Sequence, residues 1–285
     1  MSSTQETNPS SGLTLVLGGS GKTGRRVVDR LRVRGLPVRV GSRSGQPPFS
    51  WDDPSTWARA LEGASSAYVS FYPDLAVPGA PEAIAAFAAQ AVKQGARRLV
   101  LLSGRGEEEA QRAERMLQTS GADWTIVRCS WFMQNFSEAF FLESVLAGHV
   151  ALPVSDMAEP FVDAEDIADV AVAALTETGH SGQLYELTGP RLLTFAQAVA
   201  EIARAAGRVV QFESVSMEVF TKTLAGQGVP ADVVGFLEYL FGEVLDGRNA
   251  HLSDGVERAL GRKARDFGEF ASRTAATGVW GEHRA

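Results

Sequence analysis

Residues 13–24 read LTLVLGGSGKTG, and the order of residue types along them decides the fold. Leu13, Thr14, Leu15, Val16 and Leu17 make a β-type run that leads into glycines at three-residue spacing, Gly18, Gly21 and Gly24. A helix-type stretch, RRVVDRLRVRG, follows at once, with Val27, Val28, Leu31 and Val33 as its apolar stripe. Strand, glycine turn and helix lay a pyrophosphate on a helix N-terminus, where backbone N–H groups and the helix dipole both favour negative charge. Gly18 then makes the tight turn, Gly21 lets backbone approach the phosphates, and Gly24 lets the helix pack on the strand. Gly18, Gly19, Ser20, Gly21, Lys22, Thr23 and Gly24 are therefore the expected cofactor-binding loop. The Gly-Lys-Thr within it does not make a triphosphate loop, because Val16 stands where that motif needs its first glycine.

The second strand, within PVRVGSRSG, ends at Ser42, Arg43 and Ser44. A site for NAD places an acidic residue roughly 20 residues past the glycine turn to bind the ribose hydroxyls. No acid occurs between Leu31 and Trp51. A guanidinium flanked by hydroxyls suits a 2′-phosphate instead, so Ser42, Arg43 and Ser44 point to NADPH/NADP+ as the cofactor. The local charge agrees: between Gly21 and Ser44 eight basic residues stand against one acid, Asp29, in a chain whose net charge is −7. Arg30, Arg32 and Arg34 in that set read as a solvated helix face.

Further along, strands are expected at 64–71, 98–103 and 123–128, with helices at 57–63, 81–95 and from Glu107 to Gly121. This alternation gives an α/β fold, a doubly wound parallel sheet with helices on both faces. Ligands in such sheets lie beyond the C-terminal strand ends. Those ends hold the glycine loop, Ser42 to Ser44, Phe71 to Asp74, Ser103 to Arg105, and Cys129 to Trp131. Phe71, Tyr72 and Ser103 join the cofactor-binding candidates on this ground.

The second half changes character. A helix-type segment over 136–148, a short strand at 149–154, an amphipathic helix over 163–178 and a strand at 183–188 lead into a mostly helical remainder. Thr194 and Gln197 form a capping-box pattern that opens a helix to Ala206. A strand-like stretch covers 209–215, and Ser216 and Ser253 are expected helix N-caps. Asp163 and Asp166 are expected to cap and charge a helix N-terminus. Phe220, Phe236, Tyr239 and Phe241 are expected to fill a helical core. The resulting division is a disordered tail at 1–12, a cofactor domain at 13–150 with 160–188 returning to its sheet, and a smaller substrate domain at 151–159 and 189–285.

Composition bounds the partners. The chain has 285 residues, 45% hydrophobic and 21% charged, which is ordinary for a soluble globular protein. The acidic balance argues against nucleic acid and anionic membrane, no apolar run reaches transmembrane length, and the first dozen residues are no signal peptide. One cysteine, Cys129, excludes an internal disulfide and is expected to be a small buried residue. His149, His180, His251 and His283 show no ligand spacing, so no metal is expected. A cytoplasmic monomer or homodimer acting on a small molecule is the expectation.

Reductases of this architecture often pair a tyrosine with a lysine four residues on. Here the residues four past Tyr68, Tyr72, Tyr185 and Tyr239 are Tyr72, Ala76, Gly189 and Glu243, so the pair is absent. The motifs GGSGKTG, SRSG, WDDPSTW, LVLLS, SGADWTIVRCSWFMQNF and PFVDAEDIA together resemble the NmrA-like atypical short-chain dehydrogenases/reductases. Within that group they look most like the branch with bacterial quinone and azo-dye reductases and festuclavine/agroclavine-type dehydrogenases. The resemblance runs from Leu13 to Trp280. It implies a Rossmann-type NADPH-binding core, a C-terminal substrate domain, and hydride delivery to an imine or iminium, a quinone or an activated alkene. It departs from the group at Cys129, where proline is usual, and at Gln111 to Glu114, where a histidine is common. Such acceptors need no strong acid, so the protein's task is mainly to hold nicotinamide and substrate together. Tyr72, Ser103 and Trp131 are then the catalytic candidates, and Trp131, Phe132 and Asn135 the substrate-binding ones. Each has a structural alternative: loop packing for Tyr72, an ordinary strand-end serine for Ser103, core for Trp131 and Phe132, capping for Asn135. The competing functions are a non-catalytic NAD(P)-sensing regulator and, lower, a redox-neutral isomerase or epimerase that retains its nicotinamide.

Overall fold

A computed structural model describes residues 12–138 and 140–281. The expected tail, except Gly12, and His283 lie outside the described residues. In chain order the elements are β1 (Leu13–Leu17), α1 (Lys22–Val33), β2 (Val38–Gly41), α2 (Trp57–Leu61), β3 (Ala64–Val69), α3 (Ala80–Lys93), β4 (Arg98–Gly104), α4 (Glu108–Gln118), β5 (Asp123–Cys129) and α5 (Leu142–Leu146). They continue with β6 (His149–Leu152), β7 (Ala158–Glu159), α6 (Ala164–Thr176), β8 (Gln183–Leu187), β9 (Leu193–Thr194), α7 (Phe195–Ala206), β10 (Gln211–Ser214), α8 (Met217–Gly226), α9 (Ala231–Tyr239), α10 (Gly255–Leu260) and α11 (Phe267–Ala276). They fall into two compact units. The first holds residues 12–104, 108–128 and 167–185; the second holds 105–107, 129–166 and 186–281. Residues 129–150, assigned from the sequence to the cofactor domain, group with the second unit.

The first unit is organised by a parallel six-stranded sheet in the order β2-β1-β3-β4-β5-β8, with helices against it. Leu15, Val16 and Leu17 of β1 are fully buried, as a strand covered on both faces requires. On α1, Val27, Val28 and Leu31 face inward as expected, but Val33 is 89% exposed. Two residues past Leu31 is a rotation of about 200°, which carries Val33 to the opposite face. Arg30 is half-buried and departs from the solvated face expected of it, whereas Arg34 is exposed as expected. Arg30 Nε lies 2.6 Å from Asp169 and Arg34 Nη1 lies 3.4 Å from Glu177, so they tie α1 to α6 and its C-terminal end.

The second unit packs its helices and two small sheets around an aromatic core that includes Phe136, Phe141, Phe161, Phe195, Phe267 and Trp280. β6 and β10 pair in parallel with Gln211 opposite His149, and β7 pairs antiparallel with β9. The helix expected over 136–148 is broken. A 3₁₀ turn, Met133–Phe136, and α5 flank Phe140, whose φ is 44°. The core is the reason: Phe136 and Phe141 are both buried, with ring centroids 5.0 Å apart. An unbroken helix would set them about 140° apart, leaving one in solvent. The capping box of Thr194 and Gln197 is formed in both directions, and Ser216 accepts from the Val219 N–H. Ser253 is no cap: α10 has Asp254 as its N-cap, without a side-chain bond, and the Ser253 hydroxyl donates to the Glu186 carbonyl. Phe220 and Phe241 lie in the core, as expected, whereas Phe236 and Tyr239 are half-buried outside it.

Candidate functional site

The loop after β1 is shaped by what its glycines lack. Gly18 has φ 65°, and its carbonyl accepts from the Gly21 N–H at 2.8 Å, which closes the turn. A Cβ on Gly24 would sit 2.2 Å from that same carbonyl oxygen, so the first turn of α1 can rest on the loop only with glycine there. Gly21 is the N-cap of α1, no side chain caps the helix, and its first turn holds no acid. Gly18, Ser20 and Gly21 are exposed. Thr23 points elsewhere: it is buried, and its hydroxyl lies 2.9 Å from that of Tyr68 on β3. Thr23 therefore anchors the helix to the sheet through its side chain.

The neighbouring strand ends carry the other first-unit candidates. β2 and β3 flank β1, with Gly41 opposite Leu17 and Tyr68 opposite Val16. Past β2 the Ser42 carbonyl accepts from the Gly45 and Phe49 N–H groups, a turn that leaves Arg43 and Ser44 exposed. The Arg43 guanidinium stands 5.8 Å from the centroid of the Tyr72 ring, which is 70% exposed. Phe71 is half-buried against Trp51, at 4.7 Å between ring centroids, and Trp51 Nε1 donates to the Ser70 carbonyl. Burial pushes the Asp74 carboxyl above the usual carboxylate range, partly offset by the Ala76 N–H that it accepts.

At the end of β4, Ser103 is buried and its Oγ donates to Glu114 Oε1 at 2.6 Å. Arg128 holds both oxygens of Glu114, through Nε at 2.9 Å and through Nη2. A hydroxyl whose proton goes to a carboxylate keeps only lone pairs for a further partner. Ser103 is thus set as an acceptor.

The second unit holds the remaining candidates. Trp131 lies at the edge of the aromatic core, stacked on Phe141 and 5.2 Å from the Phe241 centroid. Phe132 forms an isolated bridge to Val162. Asn135 donates its backbone N–H to the Phe132 carbonyl and accepts from that of Phe141. Asp163 caps α6 by accepting from the Glu165 N–H, and it also binds Gln134 and Arg273. Asp166, fully buried, is held by Arg262 and Arg265. Cys129 is buried, and that burial pushes its thiol well up. The strand ends of the first unit gather the glycine loop, Ser42 to Ser44, Phe71, Tyr72 and Ser103, whereas Trp131, Phe132 and Asn135 belong to the second.

The model of the NmrA-like family matches residues 109–271. The chain belongs to the NmrA-like family. Among its relatives is the (4-alkanoyl-5-oxo-2,5-dihydrofuran-3-yl)methyl phosphate reductase of Streptomyces griseus, 32% identical over 92% of this chain and 98% of that one. The NAD(P)H azoreductase of Xenophilus azovorans is 30% identical over 93% of this chain and 98% of its own. The NADPH-dependent quinone oxidoreductase QOR2 of Escherichia coli, solved with NADPH, shares the fold at a TM-score of 0.74, with 20% identity, 91% of this chain and 99% of that chain covered.

In this NmrA-like chain the loop fits a dinucleotide on its own geometry. The N-terminus of α1 is uncapped by side chains, acid-free and exposed, and a side chain at Gly24 would dismantle it. Three buried charged side chains escape sequence inspection: Glu114, Arg105 and Glu159. Glu114 had a signal, since it shares the buried stripe of α4 with Ala110, Ala113 and Leu117. An acid on an apolar stripe implies a buried partner. Arg105 and Glu159 lie outside any periodic pattern. Among the described residues no helix is long and apolar enough to cross a membrane, and no three His, Cys, Asp or Glu side chains are grouped as metal ligands.

Proposed function

We propose that the chain is an NADPH-dependent reductase that passes hydride to a small organic acceptor: an imine or iminium, a quinone or an activated alkene. One observation carries this reading. An uncapped, acid-free helix N-terminus in the glycine loop stands one strand from Arg43, an exposed guanidinium that makes no ion pair among the described residues. Backbone N–H groups of the loop would hold the pyrophosphate, and Arg43 with Ser42 and Ser44 the 2′-phosphate. When bound, the nicotinamide supplies the hydride. Phe71 and Tyr72 offer ring surface at the adjoining strand end. Ser103, held by Glu114, offers lone pairs to an N–H or O–H of the cofactor, which makes it a binding group and leaves it unsuited to proton donation. The first unit serves as the cofactor domain, the second as the substrate domain. The names of the two relatives, both reductases, support the reaction class.

Steady NADPH oxidation is expected with at least one of menadione, methyl red, an enone or an N-alkyl dihydroisoquinolinium salt. Cofactor binding without turnover across this panel would overturn the reading and favour a nicotinamide sensor. Arg43→Ala is expected to raise the KM for NADPH by about 30-fold or more, the scale of a lost charge-assisted contact, and to leave that for NADH nearly unchanged. Equal weakening of both would remove the 2′-phosphate assignment.

A further inference from the structure

Among the described residues, Glu159 carries a buried side-chain oxygen with no hydrogen-bond partner. It is 2% exposed, sits at the end of β7 opposite Leu193 of β9, and its Oε2 is buried without a hydrogen-bond partner. An orphaned carboxyl oxygen is costly: native folds pair such atoms, and leaving one unpaired costs about 1–3 kcal/mol. The charged group that bears on it is Arg105, from the segment after β4. Arg105 is itself buried, and both of its terminal nitrogens have partners. Its Nη2 lies 2.9 Å from Glu186 Oε1 and 2.7 Å from His251 Nε2, and its Nη1 donates to the Asn249 carbonyl at 3.1 Å. Glu186 therefore neutralises Arg105, whose Nη1 and Nη2 are turned to Asn249, His251 and Glu186. Burial holds the Glu159 carboxyl up at about 8 in spite of the guanidinium, so at neutral pH it is a COOH group. A neutral carboxyl is a hydrogen-bond donor, and what it lacks is an acceptor.

We propose that Glu159, beside the neutralised Arg105, is the hydrogen-bond donor for a carbonyl oxygen of the organic acceptor, so that the second unit selects neutral quinones or enones over cationic iminium ions. This rests on the reductase reading. The charge count supports the selection. With Glu159 protonated, the Arg105, Glu186 and Glu159 cluster has no net charge, and it gives a cation nothing to replace its lost hydration. A carbonyl oxygen, by contrast, meets an O–H that has no other partner. Once Glu159 ionises, donation stops and the preference reverses.

Menadione is the probe, its binding followed by quenching of tryptophan fluorescence. In the native chain the affinity is expected to fall about tenfold, the equivalent of one hydrogen bond, as pH rises through about 8. Glu159→Gln keeps an N–H donor and cannot ionise, so its affinity stays near the native low-pH value and flat across that range. Glu159→Leu binds menadione about tenfold more weakly at every pH below the native transition. An N-alkyl dihydroisoquinolinium salt shows the opposite pH trend in the native chain. Identical menadione affinities and pH profiles in all three proteins would overturn the proposal and leave Glu159 as a carboxyl that orders a water. So would absence of menadione binding by the native chain at any pH. NADPH oxidation with methyl red or the iminium salt would then still uphold the reductase reading, and its absence would fail that reading separately.

Discussion

The two units assemble their polar chemistry from different parts of the chain. In the first, the candidate anion cradle is backbone: the turn at Gly18, the uncapped start of α1 and the strand ends beside it. In the second, polarity is made by side chains that reach buried partners, Asp163 with Gln134 and Arg273, Asp166 with Arg262 and Arg265, and Arg105 with Glu186. Backbone chemistry depends on glycine spacing and strand order, so it can be changed only by altering conformation. Side-chain chemistry depends on single residues meeting across many positions of sequence, so a point substitution can redirect it. A cofactor shared by many enzymes suits the first construction, and a substrate that differs between them suits the second.

Four experiments press on this contrast. Ser103, Glu114 and Arg128 are a side-chain device inside the backbone-built unit. Glu114→Ala is expected to destabilise the fold by about 3–5 kcal/mol, because it removes the buried carboxylate that both the Arg128 guanidinium and the Ser103 hydroxyl donate to, and denaturant unfolding measures it. A loss below about 1 kcal/mol would show that the pair is screened like a surface one. Gly24→Ala should come next, at about 1–3 kcal/mol from overpacking against the Gly18 carbonyl, with NADPH binding lost by calorimetry. Tight binding by this variant would mean that the loop can be rebuilt, against a conformational origin of the site.

The third experiment concerns Glu159. Its folded pKa of about 8 lies above the ordinary 4.5, so between these values the native state binds more protons than the unfolded chain. Stability therefore falls as pH rises from 4.5 to about 8, by at most about 1.4 kcal/mol per pH unit, and the contribution is flat above that. In Glu159→Gln this dependence should vanish, so the variant gains on the native chain as pH rises, read from paired thermal melts. A constant difference would place the ionisation elsewhere. The smallest effect is expected from Thr194→Ala, about 1 kcal/mol from loss of the capping box, because it touches neither device.

Much of the first unit is legible in sequence because its signals are local. β1 is found residue for residue, and β2 to β5 fall within a few residues of their expected places, since each is a short apolar run bounded by glycine or proline. The capping box of α7 is legible for the same reason: donor and acceptor are three residues apart. What the sequence hides is set by tertiary contact. The break between Phe136 and Phe141 follows from a core that takes both rings, and no local preference announces it. Ser253 looks like a cap until the Glu186 carbonyl claims its hydroxyl. Arg105 and Glu159 are single charges in aperiodic segments, and their meaning appears only when the chain brings them together.

Trp280 gives the second unit an order of assembly in time. Its ring is 1% exposed within the aromatic core, and its Nε1 donates to the Phe136 carbonyl at 2.8 Å across 144 positions of sequence. During synthesis, the residues around Phe136 leave the ribosome long before the indole that closes over them. Until then the second unit has a gap in its interior and exposed phenylalanines, a state in which chains associate with one another. The sheet of the first unit has all six strands once Leu187 is made. A chain cut just before Trp280 should therefore present one finished unit and one adhesive one, and the need for a chaperone should fall on the interval between those two residues.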